Sequence, residues 1–234
     1  MKKILFTGWF LLAFGFSVIG QADTAAVVRE VDSLIKITHT LFNSKDDLVK
    51  ALQINEYAEN LALEKLGRQT VSYGNSLHNH GVLLYYMGDY PGTEKYWLEA
   101  KTIREKVVGK KHFDYAQIVD NLAVLYWGMG NYEKAEQLLL ESKDLLASLL
   151  GKEHRDYANS LTNLAGLYQS AGNYEKAVPL FVEAKDIRRN VLGKEHPEYA
   201  NGLNNLAALY LNLSNFELAE PLLLEANAIW KKKG

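Results

Sequence analysis

The chain has 234 residues, 48% of them hydrophobic and 23% charged, which is the composition of an ordinary folded protein with enough apolar mass for a sizeable core. A formal net charge of −2 supplies no basic footprint, so nucleic acid is excluded as the expected partner. The chain has no cysteine, which removes disulfides, thiol nucleophiles and lipid-modified cysteine together.

The N-terminus differs in kind from the rest. "MKKILFTGWFLLAFGFSVIGQAD" places Lys2 and Lys3 before an apolar run from Ile4 to Ile19, then Gly20 and Ala22 before Asp23. That three-part layout is expected of a secretory signal peptide over residues 1–22, cleaved after Ala22. An uncleaved anchor is the alternative, but the run falls short of the roughly 20 residues that span a bilayer. The expected product is exported, periplasmic or secreted and bacterial in style, with no membrane insertion after cleavage.

Residues 23–72 are expected to form a degenerate helical pair. From residue 73 onward the chain repeats itself. "GNYEKA" stands at Gly130–Ala135 and again at Gly172–Ala177, and the same step carries Gly88-Asp89-Tyr90 and Ser214-Asn215-Phe216 into register. Other columns keep step: Tyr73, Tyr115, Tyr157 and Tyr199, and Gly67, Gly109, Gly151 and Gly193. Agreement in many columns over four periods marks a repeat protein, with four units of 42 residues over 73–234.

Each unit reads as two helices. In "YANSLTNLAGLY" the residues Leu161, Leu164, Ala165 and Tyr168 recur at helical spacing. Gly172 then suits a left-handed position after the helix, and Asn173 suits the cap of the next one. The second helix carries Ala177, Leu180, Phe181, Ala184 and Ile187 inward, and Pro197 enters the following first helix, where a missing N–H costs little. Ala123, Ala165 and Ala207 allow close helix approach, and Tyr132, Tyr174 and Phe216 are expected to aim at the neighbouring pair. Such pairs bury their apolar faces only by stacking.

The small/large pattern Leu164, Ala165, Tyr168, Gly172, Tyr174, Ala177, Phe181, Ala184 resembles the tetratricopeptide repeat (TPR), in the 42-residue form of the kinesin-light-chain type. The resemblance implies an all-α fold, a right-handed TPR solenoid of stacked antiparallel helix pairs. The first strong repeat departs from the pattern, with His80 for Leu, Leu84 for Tyr and Thr93 for Ala.

Catalytic arrangements are absent from the sequence: no GxSxG elbow, P-loop or HExxH is present. No enzyme, cofactor or metal is expected. His78 and His80 lie two apart and face different ways. His112, His154 and His196 form one repeat column, too widely spaced for a shared metal, and are expected to hydrogen-bond within the turns between repeats.

Binding is the better search. Asn79, Asn121, Asn163 and Asn205 lie four residues after Asn75, Gln117, Asn159 and Asn201, on one helix face. Two readings stand open: hydrogen bonding between adjacent helices, or a ladder that grips the backbone of an extended peptide. The resemblance favours the second, because repeats of this type hold cargo peptides with groove asparagines. Tyr85, Tyr86 and Trp127 break the repeat and are candidate pocket aromatics, or packing residues against the N-terminal pair. None of Asn75, His78, Asn79, Asp120, Asn121 and Asn163 is basic, so the resemblance does not extend to the clamps that hold a chaperone's terminal carboxylate.

The expected function is a non-enzymatic interaction module holding a protein or peptide partner in a concave groove. The alternatives are a regulatory or sensor arm of a larger exported signalling or caspase-like protease protein, or a self-assembly element. Leu222, Leu223, Ala226 and Ile229 are expected to lie uncovered on the last helix, giving a weak homodimer through it.

Overall fold

The apolar periodicity of each repeat becomes a pair of antiparallel helices. The structure, a computed structural model, describes residues 9–41 and 45–232, with side chains over 23–41 and 46–232. Among the described residues every regular element is an α-helix: α1 (Trp9–His39), α2 (Lys45–Lys65), α3 (Val71–Met87), α4 (Tyr90–Val107), α5 (Phe113–Gly128), α6 (Tyr132–Leu150), α7 (Arg155–Ser170), α8 (Tyr174–Leu192), α9 (Pro197–Asn212) and α10 (Phe216–Lys231). The all-α class expected from the repeats is what the chain adopts, with α3/α4, α5/α6, α7/α8 and α9/α10 as successive pairs. Two compact units divide at the second period, Met1–Val108 and Gly109–Gly234.

Local chemistry sets the boundaries. Gly130 and Gly172 adopt φ of 79° and 73°, the left-handed conformation that ends a first helix without a Cβ penalty. Asn131, Asn173 and Asn215 then cap the second helices, their side-chain oxygens accepting from the backbone N–H of Lys134, Lys176 and Leu218. The histidine column does the same for the first helices. His112, His154 and His196 accept at Nδ1 from the N–H of Asp114, Asp156 and Glu198, at 3.2, 3.1 and 3.2 Å. The doubled "GNYEKA" is therefore a turn, and its lysine has a further job: Lys134 and Lys176 lie over the rings of Tyr126 and Tyr168, 3.7 and 4.7 Å from the centroids.

Within each pair the core is built from small and large residues in alternation. Ala123, Ala165 and Ala207 are fully buried, as are Ala135 and Ala177 beneath the turns. Tyr157, Ala158 and Leu161 of α7 pack on Ala184 and Ile187 of α8, and Tyr199, Ala200 and Leu203 of α9 pack on Ala226 and Ile229 of α10. The buried tyrosines reach out to a carboxylate: the hydroxyls of Tyr115, Tyr157 and Tyr199 donate to Glu141, Glu183 and Glu225 at 3.2, 3.2 and 3.0 Å. Burial first, and the Glu183 charge second, push Tyr157 up to about 12.

Two expectations need correction. Tyr132 and Phe216 do not aim inward: both are exposed, Phe216 at 66%, at the first residue of their helices, whereas Tyr174 is half-buried. On α10, Ala226 and Ile229 are buried against α9 and Leu222 is partly so, whereas Leu224 is 64% exposed. The substitutions in the first strong repeat also find places. Thr93, fully buried, donates to the Asp89 carbonyl at 2.7 Å, and His80 lies 2.8 Å from Glu59 of α2 and stacks on Tyr96 at 3.7 Å.

Of the proposed signal segment, residues 1–8 lie outside the described residues. The backbone of 9–22 is helical and continuous with α1, so Ala22 and Asp23 sit inside one helix. Among the described residues no helix is long and apolar enough to cross a membrane.

Candidate functional site

The two columns of amides meet different surroundings in the two units. In the N-terminal unit Asn79 is 2% exposed, and its amide is fully engaged. Its Nδ2 donates to Thr38 Oγ1 and Asn55 Oδ1, both at 2.8 Å, and its Oδ1 lies 2.9 Å from His39 Nε2. Asn55 in turn donates to the Ser76 carbonyl at 3.0 Å. Asn79 therefore ties α3 to α1 and α2 and offers no atom to a ligand, which removes it from any groove. Asn75 accepts from Arg104 Nη2 at 3.1 Å, inside its own helix pair.

The aromatic candidates of this unit also divide. Tyr85 is half-buried in a ring cluster with Trp97 and Tyr90, at centroid separations of 5.9 and 5.6 Å, and Tyr86 meets its edge at 5.9 Å while remaining 63% exposed. Trp97 is pinned by donating from Nε1 to the His78 carbonyl at 2.9 Å. Burial, with Arg104 and His39 adding to it, pushes His78 down to about 3, so this histidine stays neutral.

In the C-terminal unit the first helices α5, α7 and α9 line two adjoining clefts. The first, about 180 Å³, is bounded by Phe113, Gln117, Asp120 and Asn121 of α5, Leu146 of α6, and Asp156 and Asn159 of α7. Asn163 Nδ2 donates to Asp120 Oδ2 at 2.7 Å, the hydrogen bond between adjacent helices that the sequence left open as one reading. The other carboxylate oxygen, Oδ1, is shielded from water, and the nearby Ser142 hydroxyl donates to the Ala116 carbonyl at 3.3 Å. Burial raises Asp120 to about 6 against the relief from Asn163 and Ser142, with the Asp156 charge adding to the rise.

The second cleft, about 350 Å³, is lined by Arg155 and Asn159 of α7, Arg188 of α8, and Glu198, Asn201, Asn204 and Asn205 of α9. Arg155 and Glu198 close one side as a bidentate ion pair, Nη2 to Oε1 at 2.6 Å and Nε to Oε2 at 2.9 Å. Arg188 is 6% exposed; of its five N–H donors one reaches Asn159 Oδ1 at 3.0 Å, and among the described residues it forms no ion pair. Asn201, Asn204 and Asn205 form no side-chain hydrogen bond among the described residues, leaving three amides open to the cleft.

Gln117, Asn121, Asn159, Asn201 and Asn205 are thus brought to the clefts, whereas Asn163 contributes through Asp120. Trp127 packs instead on the next first helix: a methyl placed on Gly166 would lie 2.6 Å from its ring. Sequence reasoning missed Arg188, because it lies on a second helix. Its column reads Arg104, Leu146, Arg188, Trp230, so a break in the repeat was the signal available. Among the described residues no group of three or more His, Asp or Glu side chains is placed to hold a metal ion.

A family model for the tetratricopeptide repeat matches residues 72–148, 118–190 and 156–232. No curated protein matches the chain. Among solved structures, the nearly identical TPR-like repeats of a kinesin light chain from Podosopora anserina superpose with a TM-score of 0.71 at 22% identity, over 88% of this chain and 97% of that one. BtubC (BKLC) from P. vanneervenii gives 0.69 at 19%, over 92% of each chain. A Rap protein in complex with competence and sporulation factor gives 0.67 at 17%, over 80% of this chain and 51% of that one. At these identities the likeness concerns the fold.

Proposed function

Because the chain belongs to the tetratricopeptide repeat family, we propose that it is a non-enzymatic module that holds an extended segment of a partner protein against α5, α7 and α9. One observation carries this reading: the first helices α5 and α9 present open side-chain amides to two adjoining clefts on either side of α7, Gln117 from α5 and Asn201, Asn204 and Asn205 from α9. Amides supply both donors and acceptors, which is what an extended backbone requires of a receptor. The Rap neighbour, solved with a bound factor, is consistent with such use of the fold. The proposal includes export: the layout of residues 1–22 supports cleavage after Ala22 and action outside the cytoplasm.

Recovery of the tagged protein and its partner from the exported fraction tests both parts. The expected bait begins at Asp23, and the double substitution Asn201→Ala, Asn205→Ala weakens partner binding about 10-fold at roughly 0.5–1.5 kcal/mol per hydrogen bond, with an unchanged unfolding midpoint. Retained partner binding by the double variant sinks the groove, and a bait that keeps Met1 sinks the export. Self-association through α10 is a second reading, favoured by the exposure of Phe216, Leu218 and Leu224. Sedimentation equilibrium of a Leu224→Glu variant against the parent decides it.

A further inference from the structure

The two clefts of the C-terminal unit carry opposite charge. The cleft between α5 and α7 contains Asp120 and Asp156 and no cation among its lining residues. The cleft between α7 and α9 contains two cations, Arg155 and Arg188, against one anion, Glu198. Asn159 stands between them with its amide aligned to both: Oδ1 accepts from Arg188 at 3.0 Å, and Nδ2 points to Asp156 Oδ1 at 3.4 Å.

Each cleft also holds unused hydrogen-bonding capacity on a charged group. Arg188 is buried, lines its cleft, and has one N–H engaged by a neutral amide. A guanidinium withdrawn from water without a carboxylate is costly, and an incoming carboxylate recovers that cost through paired N–H···O bonds. Asp120 Oδ2 accepts one bond, from Asn163, and Asp156 is about a third exposed beside it. The two carboxylates thus line this cleft with no cation and retain lone pairs for an incoming ammonium or guanidinium. Burial raises the Asp120 carboxyl to about 6, so it is charged at neutral pH at a cost that a cation beside it offsets.

Resting on the groove reading above, we propose that this unit selects a bipolar peptide: one acidic side chain seated against Arg188 between α7 and α9, and one basic side chain seated against Asp120 and Asp156 between α5 and α7. Packed helices lie about 8–10 Å apart, and an extended chain advances about 3.3 Å per residue. The two charged side chains are therefore spaced about three residues apart, with the intervening backbone crossing Asn159.

The test uses the full chain and synthetic nine-residue peptides, acetylated and amidated so that their ends carry no charge, on a Ser/Gly background. One set carries Lys and Asp three apart in both orders; others carry the pair adjacent, Lys alone, Asp alone, or neither. Side-chain amide and backbone ¹⁵N shifts of the protein report binding. The three-apart set is expected to bind at least 10-fold more tightly than the uncharged peptide, in one or both orders, with shifts in α7 and α9. Asp120→Asn should abolish the contribution of Lys and keep that of Asp, whereas Arg188→Gln should do the reverse. Should Arg188→Gln fail to fold, adding a Glu in place of the peptide Asp, or reversing its charge to a second Lys, reads the same cleft from the ligand side. Equal binding of the charged and uncharged peptides overturns the bipolar selection while leaving the groove in place. Failure of every peptide to shift α5, α7 or α9 overturns both.

Discussion

Asn79 and Asn205 stand in one column of the repeat, yet the first is locked among Thr38, Asn55 and His39 while the second faces an open cleft with no partner. The difference arises from what each unit sets beside the column. In the N-terminal unit α1 and α2 bring hydroxyl, amide and imidazole groups against α3, and the amide becomes part of the interior. Around Asn205 the preceding first helix α7 brings an amide and an ion-paired arginine instead, and the Asn205 amide stays available. A residue type in a repeat column thus has no fixed role; its neighbours decide whether its hydrogen bonds are taken up by the fold or kept for a ligand.

The contrast is broken most severely at Asn79. Asn79→Ala removes three hydrogen bonds and leaves buried polar groups of α1 and α2 unsatisfied, a loss of about 2–4 kcal/mol. Asn205→Ala removes none and should stay within about 0.5 kcal/mol of the parent. Urea unfolding of both variants checks this, and equal costs would erase the distinction between the units.

A smaller effect concerns Asp120, whose folded value of about 6 stands above the ordinary 3.8. A group raised on folding binds more protons in the folded state, so its contribution is fully present below about pH 4 and is lost as pH rises through about 6. Asp156, Asn163 and Ser142 are the groups around it, and none is a cation. Asp120→Asn should therefore stabilise the chain at pH 7.5 by about 1–2 kcal/mol, after allowance for partial solvent access, and have little effect at pH 4. Thermal melts at the two pH values measure it, and a stabilisation that is larger at pH 4 would reverse the assignment.

The smallest effect lies at the last turn, where Ser214 occupies φ 56° in the place that Gly88, Gly130 and Gly172 hold in the other repeats. The left-handed region costs a non-glycine residue about 1–2 kcal/mol, partly offset by the greater entropy that glycine loses on folding. Ser214→Gly should raise stability by about 0.5–1 kcal/mol, visible as a shifted urea midpoint; a lowered midpoint would show that the serine stabilises this turn.

The fold was legible because its determinants recur. The glycines with positive φ, the asparagine and histidine caps and the buried alanines each repeat every 42 residues, so one unit explains the others. The site was less legible for the same reason in reverse. Asn79 shares its column with Asn163 and Asn205, but its partners Thr38, Asn55 and His39 come from helices outside the strong repeat pattern, and periodicity carries no information about them. Arg188 recurs only in alternate repeats, with Arg104 in its column but Leu146 and Trp230 in the other two places, so the period marks it weakly. Tyr132 and Phe216 recur faithfully and were still misplaced, because recurrence reports equivalence and not burial.

The identical turn at Gly130–Ala135 and Gly172–Ala177 gives the molecule a seam. Joining Ala135 directly to Val178 would delete one full period and leave every helix start, cap and turn as it was. In repeat architectures each unit touches only its neighbours, so such an excision changes length without changing grammar. It would also rewrite the surface: Asp156 and Asn159 would go, and Gln117 would stand where Asn159 had faced Arg188. Two clefts of opposite sign would become one, and the altered specificity would arise from counting units, with no residue mutated.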